Sequence, residues 1–155
     1  MIDRFEDFTT CIAQAQKYIL KIKSHEMQIF GLKASHVMCL FYMGKYSEGL
    51  TAGELTSLCM EDKAGISKAL AELKKKELII PYNENGKKIY RAKYLLTEKG
   101  KEIYEKASEI ISNVVTECGI GLSNEERTTF YRSLELIVSN LKRHCDNMEN
   151  ALADK

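Results

Sequence analysis

A single proline, Pro81, interrupts 155 residues, and it falls where the apolar side chains change from helical spacing to strict alternation. Upstream, Ile2, Phe5, Phe8, Ile12, Ala15, Ile19 and Ile22 recur at steps of three and four. They form the stripe of one long amphipathic helix, polar on its other face. A second helical pattern, with Val37, Leu40 and Phe41, runs from about Ser35 to Lys45 and is broken by Gly-Lys-Tyr-Ser-Glu-Gly. Thr51 followed by Glu54 reads as a capping box, each side chain satisfying the other's orphan amide at the start of a short helix through Leu55 and Leu58. Asp62 reads as the N-cap of the next helix, which buries Ile66, Leu70 and Leu73 and should end near Glu77.

Around Pro81 the reading changes to Leu-Ile-Ile-Pro-Tyr, a polar Asn-Glu-Asn-Gly turn, and Lys-Lys-Ile-Tyr-Arg-Ala-Lys-Tyr-Leu-Leu. These are two strands of a hairpin, and proline, which has no amide to give a ladder, confines the first strand to an edge. Thr97 then caps a long helix carrying Ile103, Ala107, Ile110, Val114 and Cys118, which Gly119 to Gly121 ends. Ser123 and Glu126 form a second capping box and open a final helix striped by Phe130, Leu134, Ile137, Leu141, Cys145 and Met148. The architecture expected is mainly α, one domain without repeats. The apolar stripes of its long terminal helices exceed what a single core of this size needs, so two copies should pack those helices together.

The most specific stretch is Thr-Ala-Gly-Glu-Leu-Thr-Ser-Leu-Cys-Met-Glu-Asp-Lys-Ala-Gly-Ile-Ser-Lys-Ala-Leu, a short helix, a tight turn and a second helix that starts with small residues. That is a helix-turn-helix pattern. Small side chains around Lys63, Gly65 and Ser67 keep the second helix slim where it would approach base edges, while Lys63, Lys68, Lys74 and Lys75 would reach phosphates. Charge is segregated to match. The formal net charge is only +1, yet the stretch from Lys63 to Lys93 holds nine basic residues against three acidic, a local +6 that leaves −5 elsewhere. Lys87, Lys88 and Arg91 extend this basic footprint onto the hairpin.

This order of elements resembles the MarR (multiple antibiotic resistance regulator) family of winged helix-turn-helix transcription factors, over nearly the whole chain. The strongest parts are Leu50 to Ile79, which looks like the family's two-helix unit, and Tyr-Leu-Leu-Thr-Glu-Lys-Gly-Lys-Glu-Ile-Tyr-Glu-Lys-Ala, which looks like its exit from the wing. The resemblance implies an obligate homodimer that reads a pseudo-palindromic operator in duplex DNA. Residues 1–30 and 101–155 would supply the dimerisation helices, and 34–100 the DNA-binding lobe. It puts Lys63, Gly65, Ser67 and Lys68 in the major groove and Asn83 to Lys88 at the wing tip. It also implies a small-molecule inducer, whose identity the residues do not specify, and repression of transcription. The family's usual Asp-x-Arg of the wing is replaced here by Lys88, Ile89 and Tyr90. That departure supports an alternative, a winged-helix dimer kept as a protein-interaction module.

Other chemistries are weakly signalled. Five widely spaced cysteines, with no close pair, read as reduced thiols that mostly fill the core. Cys11, where some relatives keep a peroxide-sensing thiol, makes redox sensing a further alternative. His25, His36 and His144, with Cys39, Cys145 and Glu26, lack metal-finger spacing, so no metal site is expected. Tyr18, His36, Met43 and Tyr104 are candidate walls of an effector pocket, though such residues on an apolar stripe are more often core. No phosphate-binding glycine loop or nucleophile motif marks an enzyme, and no cofactor is expected. The start, Met-Ile-Asp-Arg-Phe-Glu-Asp-Phe, is not laid out as a signal peptide, and a cytoplasmic protein is expected.

Overall fold

The computed structural model describes residues 2–82 and 92–153. Helix α1 (Ile2–Glu26) runs into a 3-10 turn (Met27–Phe30), followed by α2 (Ala34–Lys45), strand β1 (Leu50–Thr51), α3 (Ala52–Cys59), α4 (Lys63–Lys75), β2 (Ile79–Tyr82), β3 (Lys93–Leu96), α5 (Glu98–Cys118) and α6 (Asn124–Ala153). The chain folds as two compact units, Met1–Ser112 and Asn113–Lys155. No helix among the described residues is long and apolar enough to cross a membrane.

In the first unit α2, α3 and α4 close on a core of Met27, Leu40, Leu55, Ile66, Leu73, Leu78 and Ile79, all essentially inaccessible. Full burial of each such aliphatic side chain stabilises by about 1.5–3 kcal/mol. The sheet order is β1-β3-β2, antiparallel throughout. Pro81 therefore lies on an edge strand, opposite Tyr94, as its missing amide requires. Strand β1, only two residues long, was not legible in the sequence; Leu50 and Thr51 pair with Tyr94 and Lys93. Thr51 serves twice, because its hydroxyl also accepts from the Glu54 amide at 3.2 Å while Glu54 returns a 2.7 Å bond to the Thr51 amide. The expected capping box is thus in place at the start of α3, directly after the strand.

Helix α4 stops at Lys75, two residues before the expected end, because Glu77 takes a left-handed conformation with φ 61°. The Leu78 amide then bonds back to Leu73 O (3.1 Å) and the Glu77 amide to Lys74 O (2.9 Å). This is the Schellman closure of a helix, with buried Leu73 and Leu78 as its apolar pair. Thr97 caps α5 as expected, accepting from Gly100 N at 3.0 Å, and its hydroxyl donates to Glu77 O at 2.7 Å. Gly100 is obligatory, since a Cβ there would collide with the carbonyl oxygen of Leu78.

In the second unit the Arg127 guanidinium donates to Gly119 O at 2.7 Å and closes the turn between α5 and α6. Ser123 and Glu126 make the expected capping box, with bonds of 2.8 and 3.2 Å. Helix α6 keeps Phe130, Ile137, Leu141 and Met148 of its stripe exposed. The expectation that the thiols mostly fill the core holds for Cys39 alone: Cys11, Cys118 and Cys145 are exposed and Cys59 is half-buried. Cys11, Cys118 and Cys145 lie on α1, α5 and α6, and Cys59 is the last residue of α3.

Candidate nucleic-acid interface

Helix α4 buries Ile66, Ala69, Leu70 and Leu73 and turns its opposite side to solvent. Its start is fixed by Asp62, whose carboxylate accepts from the Gly65 amide at 2.6 Å. That amide is consumed by the cap, so what Gly65 offers a ligand is slimness. Lys63, Ser67 and Lys74 fall on one outward stripe at helical spacing, with Lys68 and Lys75 beside it, and all five are exposed. From Lys63 to Lys75 the row runs about 18 Å along the helix axis.

The one acid of α4, Glu72, is already engaged. Its two oxygens accept from the Lys33 ammonium at 2.7 and 2.8 Å, and one lies 3.1 Å from Nε2 of His36. The bonds from Lys33 hold the Glu72 carboxyl below the usual carboxylate range. His36 is buried, and Nδ1 accepts from the Lys33 amide at 3.2 Å, which leaves the proton of the neutral ring on Nε2, facing Glu72. That Nε2 contact is close but poorly aligned. Burial pushes the His36 pKa down, outweighing the pull of Glu72, while Lys33 and Lys76 push the same way as burial. The cluster ties the start of α2 to the last turn of α4 and offsets the Glu72 charge that would oppose an anion along the exposed face.

Lys93 extends the basic surface on β3, where it stands opposite Thr51 and Tyr82. Lys87, Lys88 and Arg91, and the wing tip from Asn83 to Lys88, lie outside the described residues. The Lys33, His36 and Glu72 cluster was missed by sequence reading. Its members are separated by up to 39 positions, and no local pattern links them.

The candidate effector walls divide. His36 and Met43 are core residues, Tyr18 is exposed, and Tyr104 borders a gap of about 10 Å³ among Met27, Leu40, Phe41 and Ile111, room for a water at most. A wider open depression of about 730 Å³ lies beside Tyr46, Leu50, Leu58 and Lys93. Among the described residues no three or more histidine, cysteine or acidic side chains cluster as a metal would need.

No protein-family model and no curated protein matches the chain. Solved structures do. S. aureus MepR in complex with DNA superposes with TM-score 0.76 at 19% identity, covering 86% of this chain and 96% of that one. A MarR transcriptional regulator from Methanosarcina mazei Go1 gives 0.78 at 17%, covering 89% and 91%. A putative MarR-family regulator from Listeria monocytogenes, complexed with a 26mer DNA, gives 0.75 at 19%, covering 86% and 87%. The chain thus has the winged helix-turn-helix fold, with long terminal helices, of the MarR-family transcriptional regulators.

Proposed function

We propose that this chain is a MarR-family regulator that binds duplex DNA sequence-specifically, as a homodimer on a pseudo-palindromic operator, and represses transcription until a small molecule releases it. The observation that carries the reading is the outward face of α4. Lys63, Ser67, Lys68, Lys74 and Lys75 are all exposed there, and the helix's only acid is neutralised by Lys33. A slim helix start with flanking lysines suits a major groove roughly 12 Å wide, with Ser67 and Gly65 toward base edges and the lysines toward phosphates. Two of the solved structures that share this fold hold DNA, which supports the same use here. In this reading Lys87, Lys88 and Arg91 carry the contact from the wing.

Dimerisation is supported by the exposed Phe130, Ile137, Leu141 and Met148 on α6, an apolar stripe that a second copy would cover. An inducer is supported by the depression beside Tyr46 and Leu58, whose volume of about 730 Å³ falls in the range of small-molecule sites. Nothing in this arrangement calls for catalysis, and we assign none.

The test is selection of duplex DNA from a random pool by the reduced protein, followed by titration of the winner across salt concentrations. An inverted repeat with half-sites about one helical turn apart is expected. If the four lysines of α4 each meet a phosphate in both copies, log Kd changes with log salt with a slope of about 7, and Lys68→Ala lowers that slope by about 2. No enrichment, or a shallow slope indifferent to Lys68→Ala, would instead favour the interaction module.

A further inference from the structure

The two cysteines that no sequence pattern pairs are brought together by the fold. Cys39, on the inward face of α2, is completely buried, and its sulfur lies 4.0 Å from that of Cys59, the last residue of α3. Cys59 is half-buried, so a small solute reaches it while Cys39 stays behind it. We propose that Cys59 and Cys39 form a hydroperoxide-reactive thiol pair, in which Cys59 is oxidised first and Cys39 resolves it to an intrachain disulfide.

The surroundings divide the two roles. Either sulfur can donate across the 4.0 Å contact; with the buried Cys39 as the donor, the bond is the main cause that draws the Cys59 pKa down and pushes that of Cys39 up. Burial raises both, and the Glu61 carboxylate opposes ionisation of both. The Lys23 ammonium, brought in from α1 and seated 3.2 Å from Met38 Sδ, favours a Cys59 thiolate. An accessible thiol is the one an oxidant reaches, whereas a buried neutral thiol is inert until a partner is activated.

The chemistry balances with a hydroperoxide as oxidant. The Cys59 thiolate attacks the outer oxygen of ROOH; the S–O bond forms, the O–O bond breaks, and the alkoxide leaves as ROH after taking a proton from water. Sulfur has lost two electrons and the peroxide has gained them. Cys39 sulfur then attacks the sulfenic sulfur of Cys59, the S–S bond forms, and hydroxide departs with the Cys39 proton as water. The sulfurs must close from 4.0 Å to about 2.0 Å. Cys59 has room for this, because it ends its helix and is followed by Met60 in a left-handed turn with φ 54°. The staple would join α2 to the residue that leads into the turn before α4. The thiol chemistry does not depend on the proposed DNA binding and is read without it.

The experiment treats the reduced full-length protein with one equivalent of hydrogen peroxide, alkylates the remaining thiols, and maps them by mass spectrometry. The expected result is a loss of about 2 Da, a linked Cys39 and Cys59 peptide pair, three alkylated cysteines in place of five, and full reversal by dithiothreitol. Cys39→Ser should accumulate a sulfenic acid at Cys59 that dimedone traps, and Cys59→Ser should leave Cys39 alkylatable only on unfolding. Should Cys39→Ser fail to fold, the wild-type map decides alone. Oxidation of Cys11, Cys118 or Cys145 while Cys39 and Cys59 remain reduced would overturn the proposal, as would a chain-to-chain disulfide in place of the internal one.

Discussion

Replacing Glu77 by glycine should make this protein more stable, although it removes a side chain and adds none. Glu77 sits at φ 61°, just past the C-terminus of α4, where an L-residue pays about 1–2 kcal/mol for crowding its Cβ against its own carbonyl. Glycine is free of that cost but gives the unfolded chain more freedom, which takes back about 0.4–1 kcal/mol. The Glu77 carboxylate pairs with Lys99 at 3.9 Å, with both side chains exposed, so little is lost with it. Both amide bonds of the Schellman closure and the Thr97 hydroxyl bond use the Glu77 backbone or its neighbours and survive. At the middle of each range the balance is a gain of about 0.8 kcal/mol, which for a chain of this size is a Tm rise of about 2–3 °C. Thermal melts at one fixed protein concentration would read it. Lys76→Gly is the control: Lys76 has φ −84°, an ordinary right-handed value, and glycine there should lower Tm. If Glu77→Gly melts at or below wild type, the reasoning from the left-handed conformation is wrong.

Two further outcomes follow from contacts described above. Gly100→Ala should destabilise by about 1–3 kcal/mol, visible as a lower urea midpoint, because the added methyl meets the backbone of Leu78 rather than a side chain able to move. A midpoint unchanged from wild type would mean that the start of α5 can slide away. His36, whose pKa burial depresses in the folded protein, binds its proton more readily when unfolded, so its contribution is intact above about pH 6.5 and is lost as pH falls below that. The urea midpoint should drop between pH 7.5 and 5.5 and drop less in His36→Asn; equal slopes would assign the effect elsewhere. Glu72, with its carboxyl held below the usual range, adds a separate loss only at more acid pH, below about 4.3.

The elements that sequence reading located are those whose signals are local. Thr51 with Glu54, Asp62 with Gly65, and Ser123 with Glu126 each span three residues, and their bonds form between the atoms expected. Pro81 announced an edge strand through the loss of one amide. By contrast, β1 is two residues whose strand character exists only because Tyr94 and Lys93 run beside them. The same limit applies to the candidate interface. The lysines of α4 were legible because they share a helix face, whereas the Lys33 to Glu72 bond crosses 39 positions and Cys39 meets Cys59 across 20. In both, the partners become neighbours only when α2 packs on α3 and α4. The end of α4 was placed near Glu77, which is the left-handed residue that stops it, but the turn itself is imposed by Leu78 entering the core.

The double duty of Thr51 sets how motion can pass between the sheet and the helices beside it. Most strands and helices meet through a loop that absorbs a change of angle. Here the residue in register with Lys93 is itself the one that clamps the first turn of α3, leaving no slack between them. A tilt of the ladder is therefore delivered to α3 like torque through a keyed shaft, and onward to α4, on which α3 packs. A ligand that pressed only on the sheet would steer the basic helix with it.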